Sequence, residues 1–327
     1  MEFNFNMEFE KMMEEHHAKS VVLLGHINPD GDASGSVMAL AHYIKNVYPQ
    51  YHAYPYLAET LDKGPKLFVR QDKEFDPFQL PQILEEYIII QCDTATKKRI
   101  TGIEFYERAA AVMLIDHHAA NDHYGDINYV KISPACAQNV YEILDWSRWK
   151  RTTHPDAADY VYLGIIHDTS GFTRVDHGTF HAANELLKLG VDHSELMKTL
   201  LSATFEDEKR RAKLFNTVKR VWDGRIAYTI VGRDMIEKYK ITYEDIHPFS
   251  GILRDCADVE VGITMYEEQP GLWRCSFRSD GKWIDVNKLI GPFGGGGHAG
   301  ASGLRKHTDD PEKLLEEILE RLCQMKG

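Results

Sequence analysis

Short apolar runs that alternate with segments of helical periodicity are the sequence feature that most constrains the fold of this chain. The first run, residues 21–25 (VVLLG), has the length and composition of a fully buried strand. Residues 34–48 follow it with apolar side chains at helical spacing. Further runs at 54–57, 87–92 and 110–115 are separated by segments that can hold helices. This alternation predicts a parallel sheet with helices on both faces.

Three more helices are predicted in the first part of the chain, at 133–149, 156–168 and 179–189. The first of them is predicted to open with Ser133 as N-cap and Pro134 at the first helical position.

The length of 327 residues predicts two domains, at about 150 residues per domain. A highly charged stretch of helical period leads us to expect a helical connector at 196–220. The first domain is then 1–195 and the second 221–327. The second domain is predicted as a smaller α/β unit, with strands at 225–231, 258–266 and 273–278 and a final helix at 311–325.

The composition limits the classes of partner. A formal net charge of -12 argues against an extended basic surface for long duplex nucleic acid. The five cysteines include no CxxC pair, which favours reduced thiols over a disulfide framework or a thiolate zinc site. The N-terminal segment does not resemble a signal peptide, and no apolar run reaches the ~18 residues that a membrane span needs. We therefore expect a cytoplasmic protein without membrane partners.

Two carboxylates in the loop after the first predicted strand give the first functional signal. His26, Asp30 and Asp32 lie between this strand and the next helix, where ligands bind in open parallel sheets. Carboxylates two residues apart repel each other unless a cation lies between them. The alternative is a turn rich in Asp and Asn that caps the following helix.

Other acids and imidazoles end further apolar segments. Asp93 follows a run of isoleucines, although a lone Asp there is often an N-cap. Asp116, His117 and His118 end the next run, and a carboxylate beside a His pair can orient an imidazole toward a metal. Asp168 ends an apolar helix, where the helix dipole disfavours an acid unless a cation binds. An HD-type metal site at His167 is not favoured, because it would need further ligands at helical spacing.

These ligand types indicate divalent metal. Oxygen and imidazole ligands without thiolate suit Mn²⁺ or Mg²⁺ better than structural zinc. The six proposed ligands are His26, Asp30, Asp32, Asp93, His117 and Asp168. With Asp93 bridging, they suffice for two ions about 3.5–4 Å apart, an arrangement that hydrolyses phosphate esters. A glycine run at 294–303 that includes His298 is predicted to surround an anion with free backbone N–H groups.

Taken together, these segments resemble the DHH phosphoesterases that carry a C-terminal DHH-associated domain. The matching residues are His26 to Asp32, Asp93, Asp116 to His118, Asp168 and Gly294 to Gly303, in the family's order over nearly the whole chain. Length and domain spacing are similar to the group of bifunctional oligoribonucleases and 3′-phosphoadenosine 5′-phosphate (pAp) phosphatases. The resemblance implies an active site in the cleft between the two domains.

The resemblance also implies residue roles. One metal would be bound by His26, Asp30 and Asp93, and the other by Asp32, Asp93, His117 and Asp168. Asp116 would support the site and His118 would face the scissile phosphate, so that Asp93, Asp116 and His118 form the catalytic set. Substrate would be held by the second domain, through Arg278, Ser279, Gly295, Gly296, Gly297 and His298.

The implied activity is hydrolysis of short RNA to mononucleotides and removal of a phosphate from pAp. The implied cofactor is a pair of divalent ions, with Mn²⁺ expected first and Mg²⁺ as the alternative. Three other functions stay open: a cyclic or linear dinucleotide phosphodiesterase, a RecJ-like single-strand exonuclease, and a non-catalytic RNA-binding regulatory protein. The sequence also leaves a homodimer open.

Overall fold

The computed structural model describes residues 3–80, 85–200 and 203–326. The chain divides into two compact units, Met1–Ser202 and Ala203–Gly327. Helix α8 (His193–Leu200) begins before the predicted connector, ends inside it and belongs to the first unit. Helix α9 (Phe205–Phe215) lies within the predicted connector and belongs to the second unit. Residues 201–202 of that connector lie outside the described residues.

The first unit is built on a five-stranded parallel sheet, which confirms the predicted fold class. Its strands lie in the order β2-β1-β3-β4-β5. They are β1 (Ser20–Leu24), β2 (His52–Tyr56), β3 (Tyr87–Cys92), β4 (Val112–Asp116) and β5 (Ile127–Val130). The helices of this unit, besides α8, are α1 (Phe5–Glu15), α2 (Gly31–Val47), α3 (Lys63–Val69), α4 (Ile103–Tyr106), α5 (Cys136–Ile143), α6 (Ala157–Asp168) and α7 (His177–Lys188).

Side chains on the central strands are buried on both faces of the sheet. Val21 and Leu23 of β1 face the larger core, which also contains residues of α1, α2, α5, α6 and α7. Val22 and Leu24 face a smaller core, against which Phe105 and Tyr106 of α4 pack. Burial on both faces is why these strands read as continuous apolar runs rather than as alternating patterns.

Small residues bring α2, α5 and α6 into close contact beside the sheet. A Cβ atom on Gly164 of α6 would lie 2.5 Å from Ala137 Cβ of α5 and 2.9 Å from Asp32 Oδ1 of α2. Asp32 is completely buried in this contact, and its two oxygens accept hydrogen bonds from the backbone N–H groups of Cys136 and Ala137, at 2.6 and 2.8 Å. The helix packing therefore fixes one of the predicted metal ligands.

The predicted helix at 133–149 is wrong at both ends, since α5 spans only Cys136–Ile143. Ser133 is not its N-cap: the carbonyl of Ser133 lies 2.9 Å from His117 Nδ1, and its hydroxyl donates to the Ala135 carbonyl. The first turn of α5 is instead stabilised by the distant Asp32, which a local reading of the sequence cannot detect. The predicted helices at 156–168 and 179–189 are confirmed as α6 and α7, with Asp156 and Asp176 as their N-caps.

The second unit contains a mixed six-stranded sheet in the order β10-β11-β9-β8-β7-β6. Its strands are β6 (Lys219–Val221), β7 (Ile226–Val231), β8 (Val261–Gln269), β9 (Leu272–Ser279), β10 (Gly296–His298) and β11 (Ala301–His307). Only β7 and β8 pair in parallel among the described strands of this sheet. The helices are α9, α10 (Arg233–Tyr239), α11 (Tyr243–Ile246), α12 (Phe249–Arg254), α13 (Val286–Ile290) and α14 (Pro311–Lys326). One core contains residues of α13 and α14, and the other contains residues of α9, α11 and α12.

The Gly164 contact yields a stability prediction. Gly164→Ala should lower the free energy of unfolding of the first unit by about 1–3 kcal/mol, because the added methyl group overpacks the contact with Ala137 and Asp32. Differential scanning calorimetry measures this effect. The matched control is Gly251→Ala in α12, where no atom lies within 4 Å of the new Cβ and alanine gains helix propensity. Equal behaviour of the two variants would contradict the packing argument.

Candidate metal centre

The predicted metal ligands converge at the carboxyl ends of the parallel strands. His26 follows β1, Asp93 follows β3, and His117 follows β4. Asp30 is the N-cap of α2, and its Oδ1 accepts hydrogen bonds from the backbone N–H groups of Asp32 and Ala33, at 3.0 and 3.1 Å. The alternative interpretation, a turn that caps the following helix, is therefore also correct for Asp30. Its Oδ1 caps α2 while the side chain faces the site.

Two groups of ligand atoms share Asp93. In the first, His26 Nε2 lies 3.4 Å from Asp93 Oδ2 and 3.9 Å from Asp30 Oδ1. The other ring nitrogen of His26, Nδ1, lies 2.9 Å from the carbonyl oxygen of Ile27. A donated hydrogen bond there fixes the ring and leaves Nε2 toward the carboxylates.

In the second group, His117 Nε2 lies 3.3 Å from Asp93 Oδ1, 3.6 Å from Asp168 Oδ2 and 3.8 Å from Asp32 Oδ2. His117 Nδ1 lies 2.9 Å from the Ser133 carbonyl oxygen, so that Nε2 again faces the carboxylates. Asp168 is the last residue of α6.

The backbone of Asp93 is held in an unusual conformation. Its φ of 50° lies in the left-handed region, which costs a residue with a side chain of order 1–3 kcal/mol. The Asp93 N–H donates to the Ile115 carbonyl at 3.0 Å, which ties the turn after β3 to strand β4. Asp93 is 3% exposed, and no hydrogen bond of good geometry satisfies its buried Oδ1. A buried carboxylate oxygen without a donor is costly unless a cation binds it.

The pKa values of the ligand side chains show that negative charge is in excess at this position. Burial disfavours the charged form of His26, but its hydrogen bond to Asp93 and the nearby negative charges raise its pKa to about 9. Burial also disfavours the charged form of His117, but the hydrogen bond to Asp93 and the charges of Asp32 and Asp93 outweigh it and raise the pKa of His117 to about 10. Burial and repulsion from Asp93 and Asp168 raise the pKa of Asp32 well above its usual value. Positive charge is therefore favoured at this position.

These features fit divalent metal. Two imidazole Nε2 atoms and four carboxylates face one another, and Asp93 offers an oxygen to each of the two groups. The described residues contribute no cysteine to the ligand clusters, which favours hard cations over structural zinc. The six residues named from the sequence are thus brought together, in the two groups given above.

Comparison with known proteins shows what the chain is similar to. Residues 20–165 match the family model described as DHH family, N-terminal domain. The whole chain is similar to bifunctional oligoribonuclease and PAP phosphatase NrnA of Bacillus subtilis, with 29% identity over 93% of this chain and 95% of the relative. The Thermus thermophilus protein of the same name is 24% identical over 92% of this chain and 88% of the relative.

Among solved structures, an exopolyphosphatase-related protein from Bacteroides fragilis has a similar fold. It superposes with a TM-score of 0.83 and 22% identity, covering 98% of this chain and 96% of that chain. No described helix of this chain is both long and apolar enough to cross a membrane.

The DHH sequence, Asp116 to His118, has a supporting residue that the sequence reasoning missed. His118 Nδ1 lies 2.9 Å from Oδ1 of the fully buried Asp116, and Asn121 Nδ2 donates to the other carboxylate oxygen. The hydrogen bond to Asp116 raises the pKa of His118 and outweighs burial, which would lower it. Asn121 lies five residues after Asp116 in a loop, where no local sequence pattern marks it.

Two more residues of the first unit border the ligands without having been predicted there. His167 lies beside Asp168, and its Nε2 is 3.6 Å from Asp62 Oδ2. Arg174 and Asp168 line a surface pocket of about 510 Å³ together with Pro134 and Val175. The Arg174 guanidinium donates to Ser170 Oγ at 2.6 Å. Arg174 thus places a positive charge beside Asp168 in the lining of this pocket.

The predicted substrate residues lie in the second unit. The Ser279 hydroxyl is buried and donates to the Ile284 carbonyl at 2.9 Å, so that it holds a turn. The expectation that the glycine run has free N–H groups is wrong for Gly294 and Gly295, which donate to the carbonyls of Gly291 and Ile290. Gly296 and Gly297 form strand β10 with the exposed His298. Arg278 lies near the end of β9. Contact of these residues with substrate remains a prediction.

A substitution at Asn121 tests its supporting role. Asn121→Ala should lower kcat about tenfold, because loss of the donor frees the Asp116 carboxylate that orients His118. Loss of such a supporting residue typically lowers activity 10–100-fold. Steady-state kinetics with saturating Mn²⁺ measure the effect, and the exposed Asn184→Ala serves as control. A wild-type kcat in the Asn121 variant would rule the role out.

Proposed function

We propose that this chain is a metal-dependent phosphoesterase that hydrolyses short RNA oligonucleotides to mononucleotides and removes a phosphate from pAp. The observation that carries the proposal is the pair of ligand groups that share Asp93 at the end of a DHH-family sheet. Similarity to the NrnA proteins over nearly the full length of the chain supports the substrate class.

In this proposal one ion is bound by His26, Asp30 and Asp93. The second is bound by Asp32, Asp93, His117 and Asp168. When bound, two such ions supply Lewis acidity toward phosphate oxygens and lower the pKa of water. Mn²⁺ is the proposed metal, with Mg²⁺ as the alternative, because the donors are carboxylate oxygen and imidazole.

The residues of the chain supply position and proton control. The hydrogen bonds at His26 Nδ1 and His117 Nδ1 hold both rings with Nε2 toward the ligand groups. His118 is oriented by Asp116, so that its Nε2 is available to a phosphate oxygen or to the leaving group. Burial of Asp93 and Asp116 keeps bulk water from competing for these carboxylates.

Location and assembly belong to the same proposal. All five cysteines are free thiols, which is compatible with the cytoplasm proposed from the sequence. We also propose that the chain forms a homodimer, which sedimentation of the purified chain would test.

Product analysis tests the function. The purified chain should convert pAp to AMP and two- to five-nucleotide RNAs to mononucleotides in Mn²⁺, with lower rates on cyclic di-AMP, pyrophosphate and long single-stranded DNA. Preference for cyclic dinucleotide or for long DNA would move the chain to another activity of the family. Binding of RNA without any turnover would favour the regulatory-protein alternative.

The shared ligand gives a direct test of the metal assignment. Asp93→Ala should reduce turnover of pAp by more than about 100-fold, because loss of a shared ligand should exceed the 10–100-fold typical of a supporting residue. Asp122→Ala is the control, since Asp122 is an exposed aspartate that also precedes a histidine but belongs to neither ligand group. Undiminished turnover in Asp93→Ala would refute the two-metal assignment.

A further inference from the structure

A basic triplet, Lys97 to Arg99, lies beside the metal ligands of the first unit. Its three residues form one turn of 3₁₀ helix, and all of them are exposed. The turn begins four residues after Asp93, the ligand that the two groups share. The formal net charge of the whole chain is -12. The basic triplet therefore adds a local positive surface to a protein whose overall field is negative.

Backbone contacts fix the basic triplet against the loop that carries His26. The N–H of Ile27 donates to the Arg99 carbonyl at 2.6 Å. A β-bridge between His26 and Ile100 lies directly beside this hydrogen bond. The position of the triplet relative to a ligand of the first group is therefore set by the backbone and does not depend on flexible side chains.

A second pair of hydrogen bonds ties the same segment to the loop that follows the DHH sequence. The Asp122 N–H donates to the Ala95 carbonyl at 3.0 Å, and the Tyr124 hydroxyl donates to the Thr94 carbonyl at 2.7 Å. Residues 94–99 thus lie between two loops that border the ligands. The triplet belongs to the carboxyl edge of the parallel sheet, where ligands bind in folds of this kind.

The cations of the basic triplet have no acidic partner in the described part of the chain. None of the three side chains forms an ion pair there. Another run of three cations, at 209–211, behaves differently, because each of its members is paired with a carboxylate of α9 or α11. Since the triplet is not neutralised from within the chain, its positive potential is available to an external anion.

Two tyrosine rings hold the first cation of the triplet. The Nζ of Lys97 lies 5.0 Å from the ring centroid of Tyr106 and 5.9 Å from that of Tyr124. Aromatic faces stabilise a cation without neutralising it. Successive side chains of a 3₁₀ turn diverge by about 120°, so Lys98 and Arg99 do not share this contact. Lys97 thus restrains the turn, and the other two cations remain available to a ligand.

We propose that Lys98 and Arg99 bind backbone phosphates of the RNA strand beyond the nucleotide that is cleaved. The inference rests on the proposed function and identifies a surface that would contact oligonucleotides but not pAp. Charge complementarity favours a single strand, whose phosphates are tracked by exposed cations in proteins that bind it without sequence preference. Contacts to phosphate carry no base information, so this surface would favour longer substrates whatever their sequence.

Kinetics as a function of RNA length test this surface. The double variant Lys98→Gln/Arg99→Gln should raise KM for five-nucleotide RNA about tenfold, or about threefold for each contact, within the range of exposed ion pairs. Its KM for pAp should stay within about twofold of wild type, and kcat should be unchanged for both substrates. Lys98→Arg/Arg99→Lys keeps both charges and should retain most of the affinity for RNA.

The matched control is Lys19→Gln, which removes an exposed lysine just before β1, at the opposite edge of the same sheet. Its KM should equal that of wild type for both substrates. An equal increase for pAp and five-nucleotide RNA in the double variant would overturn the proposal, because such an effect does not depend on the length of the strand. The same increase for RNA in Lys19→Gln would overturn it as well, since any lost cation would then suffice.

Equilibrium binding separates this inference from the proposed function. Fluorescence anisotropy of a 3′-labelled five-nucleotide RNA with the full chain, in Ca²⁺ and before product appears, gives Kd at several salt concentrations. The slope of log Kd against log salt concentration should be lower by about 1.4 in the double variant, at about 0.7 for each lost phosphate contact of a single strand.

The two ideas can then fail independently. If wild type does not cleave RNA but the double variant shows the expected loss of affinity and of slope, the proposed function fails and the basic surface stands. If the double variant and wild type have the same Kd and the same slope, the basic surface fails whatever the activity of wild type.

Discussion

The charge balance around the Asp93 carboxylate is the constraint on which the rest of the site depends. Its backbone is left-handed, it is almost wholly buried, and it faces an imidazole on each side. Neither the strain nor the burial is favourable by itself. Both are tolerated because strands β3 and β4, the most extensively buried part of the sheet, hold the turn through the hydrogen bond to Ile115. A rigid parallel sheet thus positions an acid that a flexible loop would expose to water.

The packing of the helices and the geometry of the ligands are linked through Asp32. This side chain is completely buried, and both of its oxygens accept backbone N–H groups of α5. The same Oδ2 atom faces His117. Gly164 leaves the space that this arrangement requires. The stability of the three-helix contact and the capacity to bind metal are consequently not independent properties of the first unit, since one carboxylate serves both.

The sequence allowed the sheet, the strand ends and the clustering of the six acidic and imidazole residues to be predicted, because parallel strands end at one edge and their apolar runs are unambiguous. The start of α5 could not be predicted, since its first turn is stabilised by an aspartate 104 residues away in sequence. Free amides were expected throughout the glycine run, but turn hydrogen bonds to the carbonyls of Gly291 and Ile290 use those of Gly294 and Gly295.

The hydrogen bonds from α5 to Asp32 also determine how the site would attract an anionic substrate. Helix N-termini often attract phosphate, because their unpaired N–H groups and the helix dipole favour an anion. Here the chain's own carboxylate occupies the first turn of α5. Without ions, the surrounding aspartates would repel a nucleotide; with ions, the sign of the local potential reverses. Metal occupancy would therefore act as a gate on substrate encounter as well as on chemistry, so that the association rate and its salt dependence would report how many ions are bound.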